Sequence, residues 1–200
     1  MPAISETVPS DADDVQETGG SIDTASNRSW IGFLGTVEYW CGLRFTTIGP
    51  SAGDTIDDAN LRWGHQSDNM DAPDRVNIYV DIASSAQWGA SDRPSQITKS
   101  TEFAAFPRET TPQSDVTQDI TAVLQEWVDD GDYDGDVRFT MEAGNAMGAW
   151  DSMQITLTGT GSWGYQPVPT VLEGNYTAAA AAGGKIVSRV RQHYMALLHH

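Results

Sequence analysis

The sequence predicts an all-β domain of antiparallel strands packed as a sandwich, with one helix inside it. Three observations carry this. Apolar residues alternate with polar ones through most of the chain's middle, as in half-buried antiparallel sheets. The alternating runs are short and separated by clusters of Gly, Pro, Asp and Ser. A single segment, "QDITAVLQEWVDD", changes period from two to about 3.6.

The elements follow in order. "SWIGFLG" is an early strand. In "YWCGLRF", Tyr39, Cys41, Leu43 and Phe45 share one parity and Trp40, Gly42, Arg44 and Thr46 the other, so one face turns inward. "GPSAGD" supplies turn chemistry, with Pro fixing φ and Gly permitting positive φ. The next strand places Ala59, Leu61 and Trp63 inside; "VNIYVDI" does the same with Val76, Ile78, Val80 and Ile82. Ile120, Val123, Leu124, Trp127 and Val128 then fall at i, i+3, i+4, i+7 and i+8, the stripe of a helix laid on a core. Late strands bring in Val137, Phe139, Met141 and Ala143, then Met153, Ile155 and Leu157, then "PTVLEGNYT".

Flanking segments differ in texture. Residues 1–12 are polar and acidic and read as an N-terminal arm; 13–177 is the sandwich; 178–200 is a hinge of small residues, "TAAAAAGG", followed by "KIVSRVRQHYMALLHH". In that last stretch Ile186, Val187, Val190, Tyr194, Leu197 and Leu198 share one helical face, with Arg189 and Arg191 off its centre. The stretch holds three of the chain's 11 bases and none of its 28 acids. It reads as a basic amphipathic arm that inserts into a partner subunit, against the plainer alternative of folding back on an acidic body.

At 200 residues the chain has room for one domain of ordinary size plus tails. A net charge of −17 excludes nucleic acid and anionic membrane as partners for the body. Abundant Asp with lysine only at positions 99 and 185 is a composition associated with marine or halophilic hosts. Cys41 is the only cysteine, so no internal disulfide forms, and it reads as a buried small apolar residue. The first residues carry no basic start followed by an apolar run, so a protein made in a host cytoplasm without a signal peptide is expected.

Chemistry-bearing residues are few. His65 is the only histidine before the tail, without a convincing Ser or Cys motif around it, so no catalytic residue is assigned and the chain reads as a non-enzyme. "DGDYDGD" places Asp130, Asp132 and Asp134 like the opening of a calcium loop, but Met141 stands where a bidentate Glu belongs. An irregular Ca²⁺ site is the functional reading there; a solvated acidic turn is the plainer one. No cofactor is expected apart from calcium at that loop. Among seven tryptophans, Trp63 and Trp127 have core parity, whereas Trp40, Trp88, Trp150 and Trp163 are candidates to stack on a sugar or against a neighbouring subunit.

The order of "GLRF", a Pro/Gly turn, "DTIDDANLRW", "SSAQWGAS", "DVTQDITAVLQEWVDDGDYDGDVRFTM" and "PTVLEGNYT" resembles the DNRLRE-type carbohydrate-binding-module family, versions of which occur in structural proteins of tailed phages. The resemblance spans roughly residues 13–177. Its most distinctive piece is an Asp-Val-Thr start to the helix that carries Trp127. It implies a jelly-roll-like sandwich used for binding or display. The expected function is a virion structural protein of a tailed virus, as a capsid decoration, head-fibre or tail module. Capsid or tail subunits are the expected partners, with further copies of the chain as candidates. The alternative is a carbohydrate-binding module using exposed tryptophans.

Overall fold

In a computed structural model the described residues are 2–9, 13–24, 28–68, 75–107, 114–144, 147–157 and 169–180. They form twelve strands and one α-helix, joined in a single antiparallel hydrogen-bonded network. The strands are β1 (Ala3–Thr7), β2 (Asp14–Thr18), β3 (Ser21–Asp23), β4 (Arg28–Leu34), β5 (Val37–Phe45) and β6 (Thr55–Asp68). After these come β7 (Arg75–Val80), β8 (Ala104–Pro107), β9 (Ser114–Asp119), α1 (Thr121–Val128), β10 (Val137–Ala143), β11 (Ser152–Thr156) and β12 (Val171–Thr177). The main path runs β1-β12-β6-β11-β4-β5-β10-β7-β8, with β2 on β5, β3 on β2 and β9 on β6. The fold is all-β and sandwich-like.

Register explains why alternation predicted the core. Phe139 on β10 lies opposite Leu43 on β5 and Val80 on β7, and Met141 lies opposite Cys41 and Ile78. Antiparallel partners share a face, so these rows present one apolar surface. Ala59, Leu61 and Trp63 of β6, Ile155 of β11, Leu172 of β12 and the helix residues Val123, Leu124, Trp127 and Val128 join the same cluster. Within it Trp63 meets Phe106 edge to face at 5.0 Å, and the Trp127 indole N–H donates to the Asp136 carbonyl at 2.7 Å.

The helix begins later than the Asp-Val-Thr motif suggested. Asp115, Val116 and Thr117 belong to β9, which pairs with β6, and α1 opens at Thr121. The Asp119 carboxylate receives both the backbone N–H and the hydroxyl of Thr121, at 2.9 and 2.7 Å. Those two bonds hold its pKa below the ordinary carboxylate value.

Residues 3–7 correct the expectation of an N-terminal arm. They form β1, in register with β12 from Ala3 opposite Asn175 to Thr7 opposite Val171. Ile4, the lone large apolar residue there, is 2 % exposed. A polar stretch can be an edge strand because backbone pairing needs only one face covered.

The outer face of β5, β7 and β10 is also covered. Residues 81–100 cross it as a strap, with a 3₁₀ turn at Pro94–Gln96. Arg138 on β10, 1 % exposed, donates to Asp81, to Asp92 at 2.5 Å and to the Ala86 carbonyl at 3.1 Å. Glu17 on β2 accepts the N–H and hydroxyl of Ser95 at 2.8 and 2.7 Å. Among the described residues no helix is long and apolar enough to cross a membrane.

Candidate functional site

The two ends of β5 define two poles. At its far end the loop after Phe45 packs against the 130–136 turn and β12: Ile48 N–H donates to the Gly135 carbonyl, Tyr133 hydroxyl to the Pro50 carbonyl and Tyr176 hydroxyl to the Gly49 carbonyl. The chain enters β1 and leaves β12 at this end, and Ala179 N–H donates to the Asp54 carboxylate at 2.8 Å. Nine residues along, roughly 27 Å at ordinary strand rise, the β4–β5 hairpin turns at Gly35–Thr36. Gly35 has φ 69°, the positive value a two-residue hairpin turn requires.

Two shallow depressions flank this hairpin tip and share Thr36. The first, about 420 Å³, is lined on one side by Val37, Glu38 and the half-buried Trp40, and on the other by Glu17, Arg93 and Ser95. Its walls are fixed: Glu17 is held by Ser95, and Arg93 donates to the Gly20 carbonyl at 2.6 Å and to Gln96 at 3.0 Å. Burial, then the charge of Glu142, raises the Glu38 pKa above its ordinary value, with Lys99 opposing.

The second depression, about 230 Å³, is lined by Phe33, Gly35, Met147 and Ala149 among others. Trp150 stands beside it, 62 % exposed and at a left-handed φ of 77°. A β-carbon on Gly35 would lie 3.4 Å from the Trp150 ring, so the indole lies against the turn with much of its surface in solvent. Val37 is a further exposed apolar residue at this tip, 42 % exposed.

Of the four tryptophans singled out in the sequence, Trp40 and Trp150 therefore flank one hairpin. Trp88 does not join them. It is 5 % exposed, its ring lies 4.4 Å from the Arg138 guanidinium carbon, and it packs on Gly42 beneath the strap. Its Gly neighbour suggested an open loop, but the loop lies flat on the sheet. Trp163 lies outside the described residues. Sequence reasoning missed Val37, Glu38, Glu17 and Arg93. Glu38 was accessible to it in principle, sharing Trp40's outward parity two residues away.

The acidic loop is internally engaged. Asp130 accepts the Asp132 N–H at 2.8 Å; Asp134 accepts the Asp136 N–H at 3.1 Å and the Ser85 hydroxyl at 2.6 Å. Asp136 accepts Arg44 Nη2 at 2.6 Å and the Thr47 N–H at 2.9 Å. Among the described residues no group of three or more His, Cys, Asp or Glu is placed to hold a metal ion. The arm residues Ile186, Val187, Arg189, Val190, Arg191, Tyr194, Leu197 and Leu198 lie outside the described residues.

The hairpin surface offers aromatic and apolar contact area beside fixed carboxylates and a guanidinium. Reactive groups are elsewhere: His65 is buried on β6, and burial pushes the Cys41 thiol pKa well up. No family model and no curated protein matches the chain.

Proposed function

We propose that this chain is a non-enzymatic structural module of a tailed-virus particle, a jelly-roll-like capsid decoration, head-fibre or tail component of a marine or halophilic system. It is mounted on neighbouring virion subunits through the segment that follows β12. The observation that supports this best is the bipolar layout: chain entry and exit share one pole, and the exposed aromatic hairpin occupies the other. A module attached at its terminal pole presents the opposite one. Immunogold labelling of particles in infected-cell lysates tests the reading. Label on particles, lost when residues 184–200 are deleted from a still-folded chain, is the expected result; label confined to cell walls overturns it.

The hairpin surface favours a second reading, compatible with the first. Trp40, with Glu38 and Arg93 beside it, and Trp150 on the other flank each offer an indole to a sugar ring, whose apolar face stacks on the ring while its hydroxyls meet charged groups.

A further inference from the structure

Beside α1 lies a groove of about 410 Å³ that the proposed display role leaves unused. Its floor and walls include Ile56, Phe103, Ala104, Ile120, Ala122 and Val123. Phe103, 49 % exposed, adds an accessible phenyl face to the apolar lining formed with Ile120, Ala122 and Val123. The surroundings are acidic. Asp119 lines the groove, Asp129 bonds to Gln125 on its wall, and Glu126 accepts the N–H groups of Thr101 and Glu102 just before Phe103. Lys99, over the Tyr79 ring that stacks on Phe103, is engaged by Glu142.

The described chain ends close to this groove, linked to its wall through Asp54. Ala179 N–H donates to the Asp54 carboxylate, Gln125 Nε2 donates to the Asp54 carbonyl at 3.1 Å, and Gln125 Oε1 accepts the N–H of Ile56 at 2.6 Å. One hydrogen-bonded relay thus joins the exit point to the groove wall. Four small residues, 181–184, separate Ala180 from Lys185 and reach about 14 Å at full extension. Beyond them come Ile186, Val187, Val190, Tyr194, Leu197 and Leu198, with Lys185, Arg189 and Arg191 and no acid.

We propose that in the free subunit the apolar face of residues 185–198 occupies this groove of its own chain, its bases toward the acidic rim. The short tether favours the same chain over a second copy, because it confines the segment near the groove at high effective concentration. The proposal adds a stage to the anchoring role above: the segment is stored on its own domain and must leave it to engage a neighbour. The same apolar face cannot serve both sites at once, so mounting on a particle competes with storage.

Hydrogen exchange on the full-length chain tests this, with mass measured by light scattering. In the monomer, amides of 186–198 are expected to exchange about tenfold or more slowly than unprotected ones. The protection is expected to be independent of protein concentration and to vanish in Ala122→Arg, which fills the groove from an exposed helix position. Phe103→Asp, on another part of the lining, is the second variant, and thermal unfolding verifies that each still folds. Equal exchange in wild type and both folded variants overturns the proposal. Protection that rises with concentration alongside a doubled mass assigns the groove to a second copy instead. Protection seen only with anionic lipid vesicles assigns the segment to a membrane surface. The display reading is judged separately, by label on particles.

Discussion

Arg138 and Asp81 form an ion pair on the outer face of the sheet, with side chains only 1 and 2 % exposed. Arg138 also bonds Asp92 and the Ala86 carbonyl and lies over Trp88, so one guanidinium ties β10 to four points of the strap 81–100. Removing the cation alone leaves the buried Asp81 carboxylate with only the N–H groups of Ala83 and Thr98 to offset its charge. Arg138→Met is therefore expected to lower unfolding free energy by about 3–5 kcal/mol in urea titrations, and Arg138→Met with Asp81→Leu to recover much of the loss. Equal losses in the single and double variants would contradict this account.

Gly42 is where the strap touches the sheet. A β-carbon there would lie 2.8 Å from both Pro94 Cγ and Trp88 Cε2, inside van der Waals contact. Gly42→Ala is expected to push the strap outward at a cost of about 1–3 kcal/mol. A red shift in tryptophan emission as Trp88 gains water is the accompanying signal, and unchanged emission counts against it.

Asp119 sets a pH dependence. Its folded pKa lies below the unfolded one through the hydroxyl and N–H of Thr121. A depressed acid stabilises the fold above its unfolded pKa, near 3.8, and loses that contribution as pH falls through the lower folded value. Asp119→Ala is expected to lower stability at neutral pH, by an amount that shrinks as pH falls from about 3.8 further into acid. A gap between the two proteins that persists undiminished in acid would contradict the assignment.

The tryptophans separate by role. Trp88→Ala empties a buried site and is expected to cost about 3–5 kcal/mol. Trp150→Ala, at an exposed position, is expected to stay within about 0.5 kcal/mol of wild type. If the hairpin surface binds glycan, Trp40→Ala and Trp150→Ala each abolish saturable array binding while the fold persists. Uniform blanks with wild-type protein remove the sugar reading.

Much of the interior was legible in the residues because period-two alternation decides which face is dry. Cys41, Leu43 and Phe45, and Val76, Ile78 and Val80, fall where parity put them, and the helical stripe from Ile120 to Val128 is buried throughout. What parity could not show was a second covered face. Arg138, Thr140 and Asp81 have outward parity, yet the strap buries them. A strap has no period, and only the opposite charges of Asp81 and Arg138 hinted at it. Edge strand β1 was missed for a related reason: one apolar residue, Ile4, gives no pattern. The hairpin surface was half legible, since Trp40 and Trp150 were candidates but their placement on either flank of one hairpin depends on long-range pairing.

The pairing of β1 with β12 bears on how the molecule is made. Ala3 finds Asn175 only after some 172 further residues have been synthesised, an interval of about 10–30 s at ordinary elongation rates. Until then the edge of β6 that takes β12 lacks that partner. The sheet is thus zipped shut at its edge by the last of the described strands to leave the ribosome, and a chain truncated before residue 171 would be released with that seam open.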